Sequence, residues 1–229
     1  MKPIAIACAV LVAAAVTLSA AVSDTLKSRI DESATVLNEI HAAPDKDIPQ
    51  ELWDRATCVI VIPSVKKAAF IFGGEYGKGL MSCRKAGVWS APVFMQLQKG
   101  SWGLQIGAQS IDLVLLVMNE GGVEKLLQDK VTLGAEASVA AGPVGRDARA
   151  STDIQLKSEI LSYSRTQGLF AGVDISGGVV QRDKDDNVDM YGPSVSSREV
   201  LSGSVRPPAA AAAFMRALDR GAVTKRTGQ

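Results

Sequence analysis

Apolar side chains recur at helical spacing over residues 22–41. Leu26, Ile30, Leu37 and Ile40 or His41 share one side, and Lys27, Arg29, Asp31, Glu32 and Glu39 occupy the other. That spacing predicts an amphipathic helix. Ala43, Pro44 and Asp45 end it, and Pro49, preorganised for a first helical position, opens a short second helix that turns Leu52 and Trp53 inward. From Cys58 the period becomes that of strands. The apolar run to Ile62 is expected to stop at Pro63, and residues 69–72 are expected to break at the glycines of GGEYGKG. Val93, Met95 and Leu97 alternate with Phe94, Gln96 and Gln98; Lys99 and Gly100 then read as a turn, with Trp102, Leu104, Ile106 and Ala108 on the returning strand. Residues 111–118 are apolar enough to be buried on both faces, and Gly121 and Gly122 release the chain into a brief helix carrying Val123, Leu126 and Leu127.

Residues 131–141 alternate again, with a narrow face made by Thr132, Gly134, Glu136, Ser138 and Ala140. Further strands are expected at 160–163, 169–175 and 179–181, and closing helices at 196–201 and 209–218. Strand follows strand with few helical crossovers, so the predicted fold is α+β: a strongly curved, barrel-like antiparallel sheet flanked by N- and C-terminal helices.

Before this domain, Met1, Lys2 and Pro3 precede an apolar run over residues 4–16 and the small residues Ser19, Ala20 and Ala21. This is the pattern of a secretory signal peptide over residues 1–21, cleaved after Ala21. A membrane anchor is the rival reading, but the run is shorter than the roughly 20 apolar residues a spanning helix needs. Lipidation at Cys8 is a second rival, with almost no apolar segment ahead of it. Residues 22–229 are then one domain, with the helix at 22–41, a β-rich core at 57–192 and C-terminal helices at 193–220. Low aromatic content and 21 glycines favour a core of closely packed small side chains.

The whole chain holds 25 Lys and Arg against 24 Asp and Glu, and removal of Lys2 with the leader leaves zero net charge. Nucleic acid is therefore an unsuitable partner, since phosphate affinity needs clustered positive charge. Any membrane contact must be local, and binding is expected to depend on apolar insertion more than on salt. In an oxidising compartment Cys58 and Cys83 either join as a disulfide or remain two buried thiols. With one histidine, His41, and no paired-cysteine motif, no metal and no cofactor are expected.

Several stretches imitate reactive motifs. GGEYGKG has Phe72 and Gly79 where a phosphate loop needs glycine and Ser or Thr. Asp183, Asp185, Asn187 and Asp189 keep the spacing of a calcium loop, but Val188 and Ser194 replace its glycine and glutamate, and the tract reads as a solvated hairpin turn. The serines at 64, 82, 110 and 162 never fall in Gly-x-Ser-x-Gly. Lys66, Lys67, Lys78, Arg84 and Lys85 form a basic set at strand ends that suits anionic headgroups or merely blocks strand-edge aggregation. Arg146, Arg149 and Arg165 form a second set. Arg165 is either a hydrogen-bonding strut or a phosphate fork, and the strut is preferred.

The stretch SYSRTQGLFAGVDISGG at 162–178 resembles the signature of the SYLF domain family, and three further blocks resemble it in the same order. These are CVIVIPSVKKAAFIFGGEYGKGLMSCR at 58–84, GLQIGAQSID at 103–112 with GPVGR at 142–146, and RDKDDNVDMYG at 182–192. The resemblance implies a non-enzymatic, lipid-binding module of the secreted bacterial branch, with phospholipid or another lipid at a membrane surface as partner. Its eukaryotic members bind lipid with an N-terminal amphipathic helix, which places Leu26, Lys27, Ile30 and Leu37 beside Lys66, Lys67, Lys78, Arg84, Lys85 and Arg165 as candidate lipid-binding residues. Actin, which eukaryotic members bind, is not expected as a partner for an exported chain. A structural or protein-interaction domain of the envelope is the alternative function.

Overall fold

The structure, a computed structural model, describes residues 22–42, 48–69, 72–102, 109–144, 157–166 and 169–223. The proposed leader, Arg146 and Arg149 lie outside them. Helix α1 (Asp24–His41) begins where Ser23 caps the Leu26 amide, and α2 (Gln50–Arg55) follows Pro49. Ten strands come next: β1 (Cys58–Ala69), β2 (Phe72–Lys85), β3 (Val88–Trp89), β4 (Val93–Trp102), β5 (Gln109–Val117), β6 (Val131–Thr132), β7 (Val139–Ala141), β8 (Ile160–Thr166), β9 (Leu169–Gly172) and β10 (Val179–Arg182). Helix α3 (Glu120–Leu126) lies between β5 and β6. After β10 come α4 (Lys184–Tyr191), α5 (Ser197–Leu201), a 3-10 turn (Ala209–Ala211) and α6 (Ala212–Val223).

The fold is α+β, with the strands curled into a half-barrel in the order β6-β10-β4-β2-β1-β5-β8-β7, β3 added to β2 and β9 to β8. All pairs are antiparallel except β7 with β8. The central strands are apolar on both faces because each face is covered. Cys58, Ile60, Ile62, Leu113, Leu115 and Val117 point into the hollow of the curl with Val200 and Leu201 of α5. Val59, Val61, Val114 and Leu116 point outward beneath α1, α2 and α6, against Ile30, Trp53 and Phe214. Period-2 alternation therefore vanishes where it would otherwise mark a half-buried strand.

Strand β1 does not stop at Pro63. It runs on through a bulge, with register shifts between Val61 and Lys66 against β2 and between Ile62 and Val65 against β5. Ser64 sits there at φ 52, and its amide donates to Asp112 Oδ1 at 2.8 Å, so the displaced backbone group is satisfied. The glycines of GGEYGKG correspondingly do not turn the chain. A Cβ on Gly79 would overlap the Val61 carbonyl and lie 2.7 Å from Ile62 Cα, and one on Gly77 would lie 2.6 Å from Ile62 Cγ2. These residues are glycine so that β2 can lie against the bulge. Lys99 and Gly100 likewise stay within β4, paired with Glu75 and Gly74.

Residues 131–141 are two short strands instead of one. Gly134 at φ +85 turns the chain between them, and Glu136 accepts the Thr132 amide at 2.6 Å. The acidic tract expected as a hairpin turn is helix α4, capped by Asp183. Its Asp and Asn side chains, two residues apart on a helix, cannot converge as calcium ligands.

Candidate functional site

Helix α1 is held to the sheet at two ionic points. Near its start Arg29 pairs with Asp186 of α4, and Lys78 of β2 reaches Asp183 at 2.6 Å and Asp186 at 3.1 Å. Burial opposes ionisation of Asp186, but hydrogen bonds from Asp183, Arg29 and Lys78 hold its carboxyl down at about 2. Asp183, buried beside Asp186, is pushed upward instead. Near the end of α1 Glu39 pairs with Arg165, which also donates through Nε and Nη2 to Asp112 Oδ2 at 2.7 and 2.6 Å. Since Asp112 simultaneously accepts from the Ser64 amide, Arg165 ties the β1 bulge, β5, β8 and α1 into one network. Burial lowers the Arg165 pKa and raises that of Asp112.

Two neighbours of Arg165 in the 162–178 block are also tied into the scaffold. Ser162 donates to the carbonyls of Ala140 and Val173, which fastens β8 to β7 and to the segment that follows β9. The Tyr163 ring is buried against Gly142, where any Cβ would fall on the ring. The signature thus holds the curl of the sheet together.

The other candidates disperse. Leu26, Ile30 and Leu37 are buried in the domain under α1, and Lys27 is exposed in a pair with Asp31. Lys66 and Lys78 belong to one end of the β1–β2 ladder, near the Lys66–Tyr76 register pair. Arg84 and Lys85 lie beside the Cys58–Cys83 pair, roughly 25 Å away along the strands. The side chain of Lys67 lies outside the described residues. Arg84 stacks over the Trp89 ring at 4.3 Å and donates to the Asp54 carbonyl at 2.9 Å; Lys85 pairs with Glu120 at 3.1 Å. Cys58 and Cys83, directly opposite in register, are joined as a disulfide. Among the described residues, no three His, Cys, Asp or Glu side chains group as a metal site, and no helix is long and apolar enough to cross a membrane.

Among the described residues, three surface grooves stand out beside this framework. Two of about 470 and 560 Å³ run along α1 and share Asp24, Ser28, Glu32, Pro63 and Ser64. Their walls mix both signs of charge. The third, about 900 Å³, opens between the β2–β3 hairpin and residues 202–216, with Val88, Trp89, Pro207, Pro208 and Met215 among its lining residues.

A sequence profile of the family described as Ysc84, Las17-binding protein actin regulator, matches residues 98–221, more than half the chain. The chain belongs to the Ysc84 family, which is the SYLF domain family. Protein YSC84 of Saccharomyces cerevisiae is 34% identical over 205 residues, which is 85% of this chain and 43% of that protein. LAS seventeen-binding protein 3 of the same yeast is 32% identical over 205 residues, covering 85% and 44%. Human SH3 domain-containing YSC84-like protein 1 is 29% identical over 205 residues, covering 86% and 60%. The chain thus spans about half the length of these curated relatives. Within the Ysc84 match lie Asp112, the 162–178 block, α4 and the 202–216 wall of the third groove; α1 and the β2–β3 hairpin precede it.

Proposed function

We propose that this Ysc84-family chain is a non-enzymatic lipid-binding protein of the bacterial envelope, periplasmic or secreted and peripheral to a membrane. The observation that carries the reading is the third groove: Val88 is 71% exposed beside Trp89, and the surrounding walls are mostly apolar. An exposed apolar recess of about 900 Å³ suits hydrocarbon. Ser162, Tyr163 and Arg165 of the signature, by contrast, are engaged in scaffold contacts. Engagement through the α1 stripe would require undocking α1, at about 1.5–3 kcal/mol for each large apolar side chain exposed. The folded surface is therefore the preferred contact. The disulfide accords with the oxidising compartment to which the N-terminal pattern directs the chain.

The family description and the name of LAS seventeen-binding protein 3 favour a second reading, a protein-interaction domain of the envelope. Lipid extraction and mass spectrometry on protein purified from its own host separate the two. A stoichiometric co-purified lipid supports the first reading. Lipid-free protein that also fails to bind vesicles moves the assignment to the second.

A further inference from the structure

The third groove differs from its neighbours in charge as well as polarity. The two grooves along α1 carry Asp24 and Glu32 beside their cations. The lining of the third contains Lys85, Arg206 and Arg216 and no Asp or Glu. Arg206 and Arg216 are exposed and enter no ion pair or hydrogen bond among the described residues. Among the described residues, Lys85 is held by the exposed pair with Glu120, an interaction weak enough to be exchanged for another anion.

The apolar part of the groove is held open by its backbone. The β2–β3 turn places Ala86 at φ 49 and Gly87 at φ +83, the left-handed pair that a tight hairpin needs, and Val88 projects from it into solvent. Gly203 at φ +84 turns the chain away from α5 into the opposite wall, where α6 contributes the half-buried Met215. A β-branched side chain left in water beside unpaired guanidinium groups suits a ligand that presents hydrocarbon next to an anion.

We infer that this groove is an anionic-phospholipid site on a membrane surface, with the headgroup phosphate between Arg206 and Arg216 and the adjoining hydrocarbon over Val88 and Met215. The inference rests on the lipid-binding reading and adds to it where on this fold the lipid sits and which residues hold it. Zero net charge after export predicts that apolar insertion outweighs salt; the arginines of the groove add a local electrostatic contact, so binding weakens with salt.

The test is flotation of the full mature protein with vesicles of phosphatidylcholine alone and of equimolar phosphatidylcholine and phosphatidylglycerol. The protein floats with the mixed vesicles and not with phosphatidylcholine. At ~1 kcal/mol per basic residue near an anionic surface, R206Q with R216Q lowers affinity about 30-fold. V88D, at an exposed position that tolerates a polar side chain, also abolishes flotation while circular dichroism is unchanged. K27Q with K66Q, on the α1 grooves, binds like the wild type. Glycerol phosphate in excess does not compete if the bilayer lipid is the ligand; full competition assigns the groove to a free phosphate ester and overturns the inference. Equal binding to both vesicle types overturns the anionic class. Unchanged binding of both groove variants overturns the site while the lipid-binding reading stands. A wild type that binds neither vesicle overturns both.

Discussion

Replacing Arg165 by methionine tests whether the signature arginine is a strut or a headgroup fork. Arg165 makes two bonds to a single oxygen of Asp112 and one ion pair with Glu39. The Asp112 side chain is 13% exposed, whereas Glu39 is 45% exposed, so nearly all the energy lies in the first contact. A charge-assisted pair at such a site contributes about 2 kcal/mol, and the exposed partner adds under ~1 kcal/mol. R165M should therefore destabilise the domain by ~2–3 kcal/mol at pH 7, about 5–10 °C in Tm for a domain of this size. Asp112 then remains half-buried without its cation. Its carboxyl, already raised by burial, rises further above the unfolded value. A carboxyl raised in the folded state disfavours folding when ionised, so the deficit should shrink as pH falls through that raised pKa. Urea denaturation at pH 7 and pH 5, with D112N and the double variant completing the cycle, measures this. A loss under ~1 kcal/mol at both pH values, or additive single variants, would refute the strut. If R165M kept its stability and lost vesicle binding, the guanidinium would be a headgroup ligand.

Three further outcomes follow from the framework. Cys58 and Cys83 should resist alkylation until reduced, and the double alanine variant should lose ~3 kcal/mol, the entropy of a loop of 25 residues; two reactive thiols in the native protein would remove the bridge. G79A should cost more than 3 kcal/mol because its Cβ overlaps the Val61 backbone, while G74A, 3.8 Å from the Lys99 carbonyl, should cost under ~1 kcal/mol, as read by thermal melts; similar costs would contradict the close approach at the bulge. Asp186, ordinarily near 3.8 and lowered to about 2 in the fold, stabilises by about 2 kcal/mol above pH 4 and loses that contribution as pH falls from 4 to 2. R29M should flatten that part of the wild-type stability profile, and an unaltered profile would take Arg29 out of the network.

Much of this architecture is local and so is readable along the chain. The α1 stripe repeats at the helical period, β5 ends in the apolar run from Leu113 to Val117, and the two cysteines stand 25 residues apart across one hairpin. The errors arise where a tertiary contact changes what a residue means. Pro63 and Gly79 resemble strand breakers until the bulge of one lies against the bare backbone of the other, satisfied by Asp112 from a third strand. The acidic tract resembles a turn because its helix is stabilised from outside by Arg29 and Lys78, 154 and 105 positions before Asp183 in sequence. The apolar stripe of α1 is correctly located, yet sequence cannot say whether it faces core or bilayer, and the sheet takes it. Lys85 was visible as part of a basic set, whereas Arg206 and Arg216 were not, since they join it only when the C-terminal segment folds back over β3.

Hydrogen exchange on vesicle-bound protein tests the central claim most directly, because it reads lipid engagement and the state of α1 together. The account predicts protection appearing at the β2–β3 hairpin and residues 202–216, with the amides of residues 24–41 remaining as protected as in the free protein. Loss of protection along α1 on binding would instead show that the helix leaves the sheet for the bilayer, and no change anywhere would contradict lipid binding itself.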